Sequence, residues 1–174
     1  MQGHDEQSLL TRLPRLRRYA RALAGNRDDA DDLVQDTLER AWTKSALWGG
    51  VADMRAWLFS IMHNLHVDGL RRPRVATVDL DDDTPEIPVA AAQGERLAVL
   101  DLQAALDQLP VEQKEIILLV ALEDMAYADI AKTLGIPIGT VMSRLSRGRE
   151  RLRALMEGRI EPVRLKVVRM KAER

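Results

Sequence analysis

Residues 126–156 have the sequence AYADIAKTLGIPIGTVMSRLSRGRERLRALM, which contains two helical patterns separated by a sharp turn. Apolar residues recur at helical spacing from Tyr127 to Leu134, and again in a stripe that follows Ile138. Gly135 favours the left-handed conformation that ends a helix, and Pro137 favours the start of the next helix. Two helices joined by a glycine turn are typical of the helix-turn-helix motif.

The second helix of this motif is strongly basic. Its apolar stripe is formed by Val141, Leu145, Leu152 and Leu155, and five arginines project from the rest of the helix: Arg144, Arg147, Arg149, Arg151 and Arg153. Helix-turn-helix proteins insert such a helix into the major groove of DNA, where cations neutralise phosphates. A basic helix that only packs on its own domain is the alternative, and the glycine turn favours DNA binding.

Charge is segregated along the 174 residues although the net charge is only −1. Residues 139–174 contain eleven lysines and arginines against four acids, whereas residues 74–100 contain six acids and two arginines. A basic end of this kind predicts a polyanionic partner such as nucleic acid.

Composition excludes several classes of protein. The absence of cysteine rules out a disulfide framework and thiolate chemistry. No apolar run approaches the roughly 20 residues of a membrane span, and the N-terminus does not resemble a signal peptide. We therefore expect a cytoplasmic protein with no membrane insertion.

Three helices are predicted in the first part of the chain. The first covers Leu9 to Ala24, and its regular part is expected to begin at Pro14. The second follows Asp28, the predicted N-cap, and buries seven residues: Ala30, Leu33, Val34, Thr37, Leu38, Ala41 and Trp42. A loop from Thr43 to Asp53 precedes the third helix, Met54 to Arg72, which Asp53 caps and which buries six residues: Met54, Trp57, Leu58, Ile61, Leu65 and Leu70.

Residues 74–94 have no periodicity and a short acidic run, which predicts a linker. After it come two further helices, Glu95 to Leu109 and Val111 to Leu122. The latter is apolar nearly all round and is expected to be the centre of a small bundle. The predicted fold is therefore all-α: two small helical domains (1–73 and 95–157), an acidic linker between them, a C-terminal helix-turn-helix in the second and a basic tail (158–174).

A metal-dependent hydrolase is a weaker hypothesis. His63, His66 and Asp68 lie close together on one predicted helix, and histidines three residues apart can share a metal. No second cluster of ligands accompanies them, and the sequence contains no glycine-rich phosphate loop and no Ser-His-Asp order. We predict a protein that is not an enzyme and has no metal or other cofactor.

Four motifs, in order, resemble the extracytoplasmic-function (ECF) group of the sigma-70 family. They are DADDLVQDTLERAW (29–42), RAWLFSIMHNLHVDGLRR (55–72), LDQLPVEQKEIILLVALEDMAYADIA (106–131) and GIPIGTVMSRLSRGRERL (135–152). These bacterial transcription initiation factors retain sigma regions 2 and 4. The resemblance extends from Leu9 to Met156 and implies that the chain binds core RNA polymerase and promoter DNA.

The resemblance also implies three groups of contact residues. Docking on polymerase is expected from Asp32, Gln35, Asp36, Glu39 and Arg40. Recognition and opening of the −10 element are expected from Trp48, Arg55, Asn64, Asp68, Arg71 and Arg72. Recognition of the −35 element is expected from Thr140, Met142, Ser143, Arg144, Ser146, Arg147 and Arg149. From the residues alone, Trp48 fits either a stacking platform for an unpaired base or a core position, and the core is favoured.

The sequence departs from the family at three positions. Met142 and His63 stand where a cationic residue is frequent, and Gly148 replaces a common alanine at a cost of about 1 kcal/mol in helix propensity. These changes bear on which promoter is read. Relatives are commonly held inactive by an anti-sigma factor, which is therefore an expected partner. The alternative function is a sigma-like decoy that binds an anti-sigma factor without DNA.

Overall fold

The computed structural model describes residues 2–71 and 93–158, and every regular element within these two ranges is a helix. Arg72, the linker as far as residue 92 and the basic tail from residue 159 lie outside the described residues. The elements are α1 (Gln2–Ala24), α2 (Arg27–Thr43), a 3-10 helix (Ser45–Gly50), α3 (Met54–Arg71), α4 (Gln93–Asp107), α5 (Val111–Glu123), α6 (Tyr127–Leu134) and α7 (Ile138–Met156). None of the described helices is long and apolar enough to cross a membrane.

Helix α5 lies at the centre of the second set of helices, as its apolar sequence predicts. Ile116 and Leu119 are fully buried, and α6 and α7 pack on this helix. Helices α1 and α3 also pack on the second set, so that one buried apolar cluster includes Leu16 and Leu58 as well as the α5 residues. Burying each such side chain contributes about 1.5–3 kcal/mol, which holds the two sets of helices together.

The helix-turn-helix has the predicted bounds, because its signals are local. Gly135 has φ 65°, the left-handed value that a side chain disfavours, and it ends α6. Pro137 is the N-cap of α7 and so lies at the start of that helix, as predicted. Val141 and Leu145 lie on the buried side of α7, and the opposite side of that helix is exposed to solvent.

Three predicted helix starts differ from the structure. Helix α4 begins at Gln93, two residues before the predicted start at Glu95 and within the predicted linker. Helix α1 begins at Gln2 and continues through Pro14, because the buried Leu9 anchors the turn before the proline as Leu16 anchors the turn after it. Helix α2 begins at Arg27, and its N-cap is Asn26: the Asn26 side-chain oxygen accepts a 2.8 Å hydrogen bond from the backbone N–H of Asp29. Asp28 is therefore a first-turn residue.

The segment between α2 and α3 also differs from the predicted loop. Its 3-10 helix carries Trp48 into the core, where 6% of that residue is exposed and the indole N–H donates to the Ala41 carbonyl at 3.0 Å. Trp42, predicted to be buried, is 57% exposed and meets the Trp48 ring edge-on at 5.7 Å. The chain turns just after Trp42, so Trp48 takes the inner position. Leu70, near the end of α3, is likewise exposed and not buried.

Candidate nucleic-acid interface

The exposed side of α7 carries most of the residues predicted to read the −35 element. Met142, Ser146, Arg147 and Arg149 are exposed, and Arg144 is half-buried. Thr140 and Ser143 are also half-buried, and the Ser143 hydroxyl donates to the Thr140 carbonyl at 3.1 Å. With five arginines and one glutamate in the helix, this side offers a cationic surface with a few neutral groups at its N-terminal end.

Gly148 is the point at which α7 crosses α5. A Cβ atom at this position would stand 2.8 Å from Ile117 Cδ1 and 3.2 Å from Gln113 Cβ. The departure from alanine therefore has a packing counterpart: a methyl group at this position would displace the end of the Ile117 side chain and press on Gln113 Cβ.

The residues predicted to act at the −10 element divide into two groups. Asn64, Asp68 and Arg71 are exposed, and their spacing places them on one face of α3. Trp48 is buried, so its ring is not presented for stacking in this arrangement. Arg55 is half-buried, and its guanidinium donates to the Glu123 carbonyl at 3.0 Å.

The predicted polymerase-binding residues form one exposed face of α2. Asp32, Gln35, Asp36, Glu39 and Arg40 are all exposed, and the Gln35 amide donates to Glu39 at 3.0 Å. The face is net negative, because three carboxylates stand against one guanidinium.

Polar contacts across the two sets of helices were not predicted from the sequence. The Lys114 ammonium donates to the Leu23 carbonyl at 2.8 Å, and the Arg18 guanidinium donates to the Leu122 carbonyl at 2.7 Å. His63 Nδ1 lies 2.7 Å from Glu115 Oε1. The sequence does indicate such contacts. Charged residues at positions 114, 115 and 123 adjoin the apolar run of α5, and buried charges are rare unless they are paired.

Glu123 is the most buried charged residue of this interface, at 1% exposure. Its nearest cations are guanidinium nitrogens of Arg18 and Arg15, at 3.7 and 3.9 Å, and its carboxylate oxygens have no hydrogen-bond partner among the described residues. Burial raises the pKa of the Glu123 carboxyl, while the charges of Arg15, Arg18 and Arg55 oppose that rise. Burial also raises the pKa of Tyr19, with Glu115 and Glu123 adding to the effect.

The described part of the chain contains no group of three or more His, Cys, Asp or Glu residues that could hold a metal. His63, a member of the candidate metal cluster, pairs with Glu115 on α5.

Two family models match the chain. Residues 9–63 match the Sigma2 domain of PhyR, and residues 100–152 match sigma-70 region 4. The first match covers most of α1, all of α2 and the first half of α3. The second match covers part of α4, all of α5 and α6, and most of α7, and so includes the helix-turn-helix.

Individual proteins are similar over most of the chain. The ECF RNA polymerase sigma factor EcfG of Rhodopseudomonas palustris is 37% identical over 85% of this chain and 82% of the relative. SigE of Mycolicibacterium smegmatis, also an ECF RNA polymerase sigma factor, is 37% identical over 80% of this chain and 56% of the relative. The co-crystal structure of sigma factor RpoE with anti-sigma factor NepR from Bartonella quintana has a TM-score of 0.68 and 32% identity, covering 87% of this chain and 96% of RpoE.

Proposed function

Because the chain belongs to the ECF RNA polymerase sigma factors, we propose that it joins core polymerase and directs initiation at promoters that have a −35 and a −10 element. One observation carries the DNA-binding part of this proposal: an intact helix-turn-helix exposes the basic side of α7. Polymerase and chromosome share the bacterial cytoplasm, and we infer that the chain acts there.

The two DNA contacts have different chemistry. Helix α7 reaches the major groove of the −35 element, where Arg147 and Arg149 contact phosphates or guanine. The α3 face of Asn64, Asp68 and Arg71 lies at the −10 element, where an amide suits an adenine edge and a guanidinium suits a phosphate. Extruding a base there costs a few kcal/mol, and its new contacts offset that cost.

Polymerase binding is assigned to the acidic face of α2. Exposed carboxylates at Asp32, Asp36 and Glu39 suit a basic surface, and long-range attraction between opposite charges also speeds association.

The closed arrangement of the two sets of helices must open for both DNA contacts to form. Elements centred near −35 and −10 are about 25 base pairs apart, which is about 85 Å at 3.4 Å per pair. A compact chain of 174 residues has a radius of gyration of only about 16 Å. We infer that polymerase holds the two sets apart, and that Arg55 then leaves the Glu123 carbonyl and becomes free for DNA.

An anti-sigma factor is the proposed regulator, by analogy with RpoE, whose co-crystal structure contains the anti-sigma factor NepR. A cleft of about 530 Å³ lies where α2 and α3 meet the α4–α5 junction. Its lining includes apolar Leu33, Leu65 and Leu109 and the carboxylates of Asp32 and Asp36. An amphipathic helix with basic flanks fits such a groove, and it would cover side chains that polymerase needs.

Run-off transcription tests the proposal. The full chain is mixed with core polymerase and genomic fragments, and we expect discrete transcripts that core alone does not make. Stable binding to core without a transcript from any fragment would favour the decoy that binds an anti-sigma factor and not DNA. Failure to bind core would contradict both the proposal and the assignment of α2.

A further inference from the structure

Two large apolar side chains stand in solvent at the start of α7. Ile138 is 45% exposed and Met142 is 49% exposed. They are four residues apart on the helix, so their side chains are neighbours on one side of it. Both lie in the first turns of the recognition helix, the part that contacts base edges in helix-turn-helix proteins.

Met142 does not belong to the core of the domain. At 100° per residue it lies about 90° around α7 from the buried stripe of Val141, Leu145 and Gly148. Its neighbour one turn further on is the exposed Ser146. Met142 thus lies on an exposed flank of α7 and reaches the groove if the helix binds DNA as proposed above, so this inference rests on that proposed function.

We propose that Met142, with Ile138 beside it, reads thymine through its 5-methyl group in the −35 element. The thymine methyl is the one apolar feature that a base pair presents in the major groove. A thioether has no donor and cannot form the paired hydrogen bonds that an arginine makes with guanine O6 and N7. The unbranched methionine side chain adapts its shape, so it can cover one methyl or two adjacent ones.

Ser143 is compatible with an A·T pair beside Met142 but does not select one. Its hydroxyl hydrogen is donated to the Thr140 carbonyl, which leaves an acceptor for DNA. The adenine N6 and cytosine N4 amino groups are both donors that match this acceptor, so the base preference rests on Met142. Arg147 and Arg149 supply the charge that holds the helix on the phosphates, so removal of Met142 changes base preference and leaves the salt dependence of binding unchanged.

The test is holoenzyme binding to a promoter from the run-off experiment, with each −35 thymine replaced in turn by deoxyuridine. This change removes only the methyl group. At one or two adjacent positions we expect about fourfold weaker binding, the factor for one buried methyl-sized group. In the Met142→Ala variant the same deoxyuridine should not weaken promoter binding any further, since the side chain that contacts the thymine methyl is already absent.

Met156→Ala is the matched control, because Met156 is 46% exposed on the same helix but at its far end. It should keep the full deoxyuridine effect. The inference is overturned if wild-type holoenzyme binds the promoter but is indifferent to deoxyuridine at every position, or if Met142→Ala remains as sensitive as wild type. Absence of any promoter-specific binding overturns the proposed function instead, and the inference with it.

Discussion

At the scale of single residues, Gly148 shows how packing overrides helix propensity. Replacement by alanine gains about 1 kcal/mol of propensity but places a Cβ 2.8 Å from Ile117 Cδ1. Because overpacking costs about 1–3 kcal/mol, we expect Gly148→Ala to lower the free energy of unfolding by about 1 kcal/mol in urea titrations.

Gly139 is the matched control on the same helix. A Cβ at Gly139 meets no atom of the described residues within 4 Å, so Gly139→Ala should raise stability by about 0.5 kcal/mol. Equal stabilisation by both alanines would show that α5 and α7 are less tightly apposed than the distances indicate.

The residue scale is also where sequence-based prediction was least successful. The helical periodicity of α2 predicts that Trp42 is buried, but Trp42 is exposed. The chain turns just after this residue, and periodicity within one helix does not predict what packs beyond its end. Trp48 fills the core there. His63 departs from a frequent arginine, and its pairing with Glu115 on α5 is visible only once the fold brings α3 and α5 together.

At the scale of elements, α7 and α2 are expected to act separately. Arg147→Ala should weaken promoter binding about tenfold and reduce the slope of log affinity against log salt concentration by about one, with core affinity unchanged.

Asp36→Lys should weaken core binding, because it reverses a charge on the exposed α2 face. Fluorescence titrations with core and with promoter DNA measure the two affinities.

Arg153→Ala serves as the control for Arg147→Ala, since Arg153 is also exposed on α7 but stands in its last turn. It should leave base preference and most of the promoter affinity intact. If Arg147→Ala lowers both affinities equally, the DNA-facing side of α7 is misassigned.

Elements were predicted best where their signals are local. The bounds of α6 and α7 follow from Gly135 and from one apolar stripe. Helix α5 was predicted as a centre because its sequence is apolar on all sides. The start of α1 was missed because proline usually begins a helix, and only tertiary burial of Leu9 keeps the earlier turn. The site residues on α2, α3 and α7 came from family resemblance, and their roles remain predictions.

At the scale of the whole molecule, the contact between the two sets of helices is the feature that no local pattern predicts. It joins residues 52 to 104 positions apart, such as His63 with Glu115 and Arg18 with Leu122. Several of these contacts use charged groups, which lose less on returning to water than apolar groups do. An interface of this kind suits the proposed separation of the two sets of helices on polymerase.

The buried carboxyl of Glu123 makes the free energy of unfolding depend on pH in a direction that can be predicted. Burial raises the pKa of its carboxyl above 4.5, so the folded protein keeps a proton that the unfolded chain releases near pH 4.5. Between these two pKa values unfolding releases a proton, and the free energy of unfolding therefore falls as pH rises. The contribution of Glu123 to stability is fully present below pH 4.5, and it is lost as the pH rises through the pKa of this carboxyl in the folded protein.

Glu123→Gln keeps the shape of the side chain but cannot ionise. Since replacement of a poorly compensated buried charge is often stabilising, we expect the variant to exceed wild type by about 1 kcal/mol at pH 7 and to match it near pH 4. Urea unfolding across that range measures the difference, and Glu112→Gln, an exposed change on the same helix, should show no comparable rise. A variant less stable than wild type at pH 7 would mean that attraction to Arg15 and Arg18 outweighs the burial of the charge.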